Sequence, residues 1–387
     1  MTPWQAWAAA ETARIHAAGR WRAPRDLDGT GPAHTLADDG RRVVSFASND
    51  YLGLSHHPAV IAAAHAALDR WGAGSGAARL IVGSRPVHSA LERALAAWKD
   101  TEAAVLFPTG FAANLGVLTT FGGPGTLICS DELNHASIID GTRLARARVA
   151  VYPHGDLDAL SRLVREAPEQ RVLVVTDTVF SMDGDTADLD ALVHLCRRRG
   201  ALLVLDEAHA VLGPSLPTGA GDVLRVGTLS KTLGSLGGFV AGDRRFCDLV
   251  VNLARPYIFT TASTPADVAA ATAALEVLRS PEGAALVDHL RHLVEMLRPG
   301  HPSPIIPVIC GDEHRALAAT AALLDRGMLV PAIRPPTVPP GTSRLRVALS
   351  AAHTTEQVRA LAGALDELGL RLGSPAGVTA AGPGAGP

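Results

Sequence analysis

Short, unbroken apolar runs recur through the middle of the chain, at residues 103–107, 126–129, 148–152, 172–176, 202–205, 223–226 and 239–241. Between several of them the apolar positions repeat with helical spacing instead: Leu91, Leu95 and Trp98 in register, then residues 112–120, 156–167 and 188–199. Runs without polar alternation suit strands buried on both faces, and strands separated by helices are connected in parallel. The pattern predicts an α/β fold: a large domain with a mostly parallel central sheet flanked by helices.

The flanks differ. Residues 2–18 read as a helix rich in Ala and Trp, 19–32 as irregular and polar, and 42–47 as a strand. Pro58 opens a helix with Val60, Ile61, Ala64, Leu68 and Trp71 on one face, and Gly72 stops it. Beyond a helical stretch at 264–298, strands are expected at 305–309, 329–333 and 344–349, with helices at 313–326 and 355–372. That alternation describes a smaller α+β domain. The expected division is an N-terminal helix and arm (1–55), the large domain (56–285), the small C-terminal domain (286–372) and a disordered Gly/Ala/Pro tail (373–387).

Composition narrows the function classes. Hydrophobic content of 47% and 19% charged residues describe a globular chain, and a net charge of −3 with scattered arginines argues against nucleic acid as a partner. No run is long enough for a membrane span, and the N-terminus lacks a secretory core. Cys129, Cys196, Cys247 and Cys310 sit in or beside apolar runs without CxxC spacing, as expected for reduced thiols in the cytoplasm and not for a metal site.

Only two residues are lysines, Lys99 and Lys231, against thirty-three arginines. Lys99, at the end of an amphipathic helix, reads as an ordinary surface lysine. Lys231 lies in a small-residue loop between two apolar runs, and is either a surface loop lysine or a desolvated amine whose lowered pKa makes it a nucleophile able to form a Schiff base. Ligands of open parallel sheets bind at the carboxyl ends of the strands, and three other features fall there. Thr109-Gly110-Phe111 opens a helix whose free amides suit a phosphate, or is a plain turn. Asp206 closes an apolar strand with His209 three residues on, and is a buried carboxylate seeking a cation or a helix cap. His135 follows another strand, as a ring near a ligand or a structural histidine. Pyridoxal phosphate uses all four: a lysine, a carboxylate against its pyridine nitrogen, amides and hydroxyls for its phosphate, and a ring on its face.

Longer motifs carry a resemblance. The chain resembles the alpha-oxoamine synthases, a group of fold-type-I pyridoxal-phosphate enzymes, across about residues 40–365. The likeness rests on Ser48-Asn49-Asp50-Tyr51-Leu52-Gly53-Leu54, Gly74-Ser75-Gly76, Thr109-Gly110-Phe111-Ala112-Ala113-Asn114, Asn134-His135-Ala136-Ser137, Phe180-Ser181-Met182-Asp183-Gly184-Asp185, Asp206-Glu207-Ala208-His209 and Ser230-Lys231. Ala332-Ile333-Arg334-Pro335-Pro336-Thr337-Val338-Pro339 is similar to the alanine-using branch that serves biotin biosynthesis.

The resemblance implies a role for each position. Lys231 holds the cofactor and moves protons, Asp206 meets the pyridine nitrogen, and His135 stacks on the ring. His209 and Ser181 serve the phenolic oxygen. Gly110, Phe111 and Thr228 bind the phosphate, with Thr261 reaching it from the partner subunit of a homodimer with a shared active site. Arg344 grips the amino-acid carboxylate, Asn49 lies beside the substrate, and Arg22 or Arg20 contacts it. The implied reaction joins L-alanine to pimeloyl-CoA or pimeloyl-acyl-carrier protein with loss of carbon dioxide. Gly76-Ala77-Ala78-Arg79 departs from the family's Gly-Gly-Ser or Gly-Gly-Ala, at the acyl entry. Rival readings are a sister synthase with another amino acid or acyl group, an aminotransferase, and a non-catalytic binding subunit.

Overall fold

The computed structural model describes residues 1–370 and 372, so the tail predicted at 373–387 lies outside the described residues. Seven strands form the central sheet, in the order Ala103–Phe107, Gly238–Gly242, Val223–Thr228, Leu202–Asp206, Arg171–Asp177, Thr126–Asp131 and Arg148–Tyr152. Gly238–Gly242 runs antiparallel to both neighbours, and the other ladders are parallel. The predicted α/β architecture, with its mostly parallel sheet between helical layers, is therefore the observed one.

Packing explains why the inner strands lack alternation. Leu106, Phe239 and Ala241 turn to one face, where they join Leu91, Leu95 and Val268. Val105, Phe107 and Val240 turn to the other, against Val117, Cys247 and Val250. Each Leu, Val and Phe among them, fully buried, contributes roughly 1.5–3 kcal/mol relative to exposure. The edge strand Arg148–Tyr152 departs from the expectation: Val149 and Val151 are 38% and 62% exposed, at the rim of the sheet where the strand has a neighbour on one side. The four cysteines are buried and unpaired.

The small domain carries an antiparallel sheet of Ile305–Gly311, Ser343–Ala348 and Ala332–Ile333. The single strand expected at 329–333 is two. Met328–Leu329 pairs in parallel with Arg42–Ser45, and Ala332–Ile333 pairs with Ser343–Ala348. Pro331 lies between them and has no N–H for a continuous ladder. The stretch 19–32 is not wholly irregular either: Leu27–Thr30 forms a hairpin with Ala33–Leu36, turned at Gly31 with φ +64°. The helix Pro281–Leu297 runs across residue 286. Among the described residues no helix is long and apolar enough to cross a membrane.

Lys99 is not a surface lysine. Its side chain is 10% exposed, and the amine pairs with Glu207 at 2.7 Å.

The loop 181–185 is strapped to its surroundings from several sides. His154 bonds Asp131 at 3.1 Å and Asp185 at 2.7 Å, Ser303 donates to the Gly184 carbonyl at 2.7 Å, and Arg344 pairs with Asp183. Burial pulls the His154 imidazole down, but the hydrogen bonds and charges of Asp131 and Asp185 outweigh it and raise the pKa from 6.5 to about 10. A raised folded-state pKa stabilises fully below the unfolded value, and that stability is lost as pH rises through the folded one. Between pH 6.5 and about 10, wild type should therefore lose more stability than His154→Asn. The difference is on the order of 1 kcal/mol after solvent screening of this part-exposed cluster. Urea midpoints measured across that window check it, and parallel slopes for the two proteins would exclude the clamp.

Candidate active site

Strand ends converge at one edge of the central sheet. Phe107, Asp177, Asp206 and Thr228 close four of them, and Asp177 and Asp206 are register partners on neighbouring strands. The segment that carries Lys231 links Thr228 to Gly238 and is anchored by Leu229 and Leu233, both fully buried. Backbone bonds close it: Leu229 N–H to the Gly237 carbonyl and Gly234 N–H to the Lys231 carbonyl, both at 2.9 Å. Gly234 has φ +57°, and a Cβ there would stand 2.3 Å from the Ser55 backbone nitrogen. Only glycine lets the lysine loop lie so close to the turn after Tyr51.

The Lys231 amine lies 2.8 Å from His209 Nε2. Desolvation lowers its pKa. Asp206 and Asp177 act against that shift and Arg346 acts with it. A lysine in this state gives up its proton more readily than a solvated one. His209 is buried, and its Nδ1 meets the Tyr51 hydroxyl at 2.5 Å. Burial first, then the Lys231 and Arg346 charges, hold this imidazole well below its usual range. Burial likewise raises the Tyr51 hydroxyl to about 12, so it stays a donor.

Asp206 is 6% exposed and accepts the Ala208 amide at 2.9 Å and the Asn114 side-chain amide at 2.6 Å. Asn114 also donates to Ser137 Oγ at 2.9 Å, and Ser137 Oγ lies 2.7 Å from His135 Nδ1. One asparagine thus ties the carboxylate to the imidazole. His135 caps the helix Ala136–Leu144 with an exposed ring, and its backbone N–H donates to Asp177 at 2.8 Å. Burial, then the neighbouring Asp206, pushes the Asp177 carboxyl well up.

Gly110 begins the helix Gly110–Phe121, and a Cβ on it would sit 3.3 Å from Thr228 Cβ. The close approach brings free helix amides beside the Thr228 and Ser230 hydroxyls, which are 2.7 Å apart. Phe111 is 43% exposed beside His135, with ring centroids 6.4 Å apart.

These residues fit pyridoxal phosphate. A desolvated amine, a braced carboxylate, an open imidazole face and a helix terminus with two hydroxyls are the donor set that the group requires.

The other predicted positions divide. Asn49 Oδ1 accepts from Arg346 at 3.2 Å and from the Tyr51 hydroxyl at 3.2 Å. Ser181 enters through its carbonyl, bonded by Arg346 Nε at 2.5 Å. Arg22 reaches Thr337 at 3.4 Å, whereas Arg20 pairs with Glu313 at 3.5 Å. Thr261 lies exposed with Arg79, His88 and Pro108, and no hydrogen bond joins it to the lysine cluster. Arg344 does not stand ready for a carboxylate, because Asp183 and the Thr342 carbonyl already hold its guanidinium. Arg346, on the same strand face two residues on, is the cation that acts on Tyr51, His209 and Lys231. Sequence reasoning missed Tyr51, Asn114, Asp177 and Arg346. Asp177 had a signal, since it closes an apolar strand just as Asp206 does.

The chain matches the family described as aminotransferase class I and II over residues 41–365. It is 49% identical over 381 residues to the 8-amino-7-oxononanoate synthase of Anaeromyxobacter dehalogenans, covering 93% of this chain and 94% of that one. A serine palmitoyltransferase variant from S. paucimobilis, solved with a PLP–myriocin aldimine, superposes with TM-score 0.87 at 30% identity, over 93% of this chain and 96% of that one. The crystal structure of 8-amino-7-oxononanoate synthase from Francisella tularensis gives TM-score 0.68 at 25% identity, over 84% and 98%.

Asn114→Ala deletes the side-chain donor to Asp206. It should raise the dissociation constant for pyridoxal phosphate about tenfold, the equivalent of ~1.4 kcal/mol for one hydrogen bond to a buried charge. Absorbance titration of the apoprotein checks this, and an unchanged constant would mean that Asn114 does not support the carboxylate.

Proposed function

This chain belongs to the aminotransferase class I and II family and, within it, to the alpha-oxoamine synthases, and from that premise we propose that it makes 8-amino-7-oxononanoate. L-alanine and pimeloyl-CoA, or the pimeloyl thioester of acyl-carrier protein, are the substrates. CoA or the carrier thiol and carbon dioxide are the other products, and the step belongs to biotin biosynthesis. The observation that carries the reading is the Lys231–His209–Asp206 cluster facing Arg346, in a chain so similar along its length to a synthase of that name.

Pyridoxal phosphate, when bound, supplies an aldehyde for the amino acid's nitrogen and a ring that draws electrons from its alpha carbon. The chain's own residues do the rest. Asp206, braced by Asn114 and the Ala208 amide, keeps a proton on the ring nitrogen. The Lys231 amine, held low in pKa by desolvation, takes the alpha proton and returns one after carbon dioxide has left. His209, fixed by Tyr51, orients that amine and hydrogen-bonds the oxygen side of the ring together with Ser181. With the cofactor bound, His135 would meet its ring, and Gly110, Phe111 and Thr228 would hold its phosphate. Arg346 takes the alanine carboxylate with Asn49 beside it, in the role first expected of Arg344. Arg22, against Thr337, faces the acyl chain's far end.

A homodimer fits the surface. Leu80, Ile81, Val82 and Phe259 are 50–74% exposed, and the turn Arg255–Ile258 packs against Arg79–Gly83. Such a patch suits burial against a second copy. In that arrangement Thr261 reaches the neighbouring subunit's cofactor phosphate. Cytoplasmic localisation follows from a biosynthetic role of this kind.

Purified protein given alanine and pimeloyl-CoA should release a product with the mass of 8-amino-7-oxononanoate. Product with glycine or serine but none with alanine would overturn the assignment. Arg346→Ala should raise the alanine KM about 100-fold, from the loss of a charged hydrogen-bond pair. Arg344→Ala should raise it far less, and the reverse order would return the role to Arg344. Ile81→Asp should move the protein from dimer to monomer in sedimentation velocity, and a dimer that persists would place the interface elsewhere.

A further inference from the structure

A cavity of about 520 Å³ opens beside the lysine loop, walled by Trp98, Lys99, Glu207, Arg225, Arg279 and Arg291 among others. It shares only Thr228 with the residues assigned to the cofactor. Its size is that of small-molecule sites in general.

The charges on its wall do not balance. Four cations face it and one carboxylate, Glu207. Glu207 is split between two of them, with Lys99 at 2.7 Å and Arg225 at 2.7 Å, and Arg225 Nη1 also donates to the Lys99 carbonyl at 2.7 Å. These three side chains are 4–16% exposed, so one positive charge remains in a poorly hydrated place. An uncompensated buried charge is costly. The Trp98 ring, 3.6 Å from the Lys99 amine, offsets part of that cost. Burial lowers the Lys99 pKa, with Glu207 acting against the shift and Arg225 with it. At the mouth, Arg279 and Arg291 are exposed, and Arg291 is tied to Asp288 at 2.8 Å. Val211, Leu212 and Leu216 supply apolar lining.

We propose that this cavity is a second binding site, regulatory in character, for a small organic anion with a carboxylate or phosphate head and an apolar or planar body. The head supplies the negative charge that Lys99 and Arg225 lack, and Arg279 and Arg291 draw it in. Glu207 follows Asp206 directly, and its backbone N–H donates to the Val226 carbonyl at 2.8 Å. An anion that draws Lys99 and Arg225 away from Glu207 therefore acts on the two strand ends that carry Asp206 and Thr228. The site does not depend on which amino acid or acyl group the enzyme uses.

The test is isothermal titration of the cofactor-loaded enzyme with citrate, adenosine monophosphate and inorganic phosphate at constant ionic strength. One organic anion should bind once per chain with a dissociation constant below ~1 mM, and inorganic phosphate at least ten times more weakly. The arm that binds, citrate or the nucleotide, tells carboxylate from phosphate. The double variant Arg279→Ala/Arg291→Ala should weaken binding at least fivefold, and Lys99→Met, which removes a buried cation from the wall, should weaken it at least as much. Saturating anion should shift the cofactor's absorbance band. Absence of saturable binding by any probe, equal affinity in wild type and double variant, or displacement of the bound anion by alanine and pimelate would each overturn the proposal.

Discussion

Everything in the site depends on keeping one amine out of water beside two carboxylates at adjacent strand ends. Asp177 and Asp206 face each other across a parallel ladder, and like charges that close would repel if nothing intervened. Lys231, the His135 amide and Asn114 are what intervene. The amine gains a lowered pKa from the same desolvation that makes the carboxylates costly. Sheet, loop and caps are arranged so that these opposed effects meet within a few ångströms.

The surrounding architecture holds that balance. The lysine loop is pinned to the N-terminal arm at Gly234 and to the core by Leu229 and Leu233. Arg346 belongs to the small-domain sheet, yet it bonds the Ser181 carbonyl and the Asn49 side chain. Three parts of the chain thus share one hydrogen-bond network. A change in the seating of the small domain would alter the field at Lys231 directly.

Much of this was legible in the residues. Apolar runs located the sheet because buried strands have no polar face, and strand ends located Lys231, Asp206 and Gly110. Edges were harder. Residues 148–152 look like a buried strand, yet Val149 and Val151 face outward, because position in a sheet is decided by distant pairing. Arg344 and Arg346 share a strand face, so spacing could not separate them; what does is Asp183, brought in from 161 residues away. Lys99 likewise looked ordinary until Glu207, just past one strand, and Arg225, within the next, enclosed it. Long-range ion pairs leave no periodic trace.

The burial of Lys99 has a practical side. With one ε-amine locked in an ion triad and the other turned inward onto His209, the exterior has no freely presented lysine. Reagents that acylate such amines, from succinimidyl dyes to bifunctional crosslinkers, would find little to react with there except by entering the catalytic cleft. Immobilisation or labelling of this enzyme through a lysine has to use an introduced one.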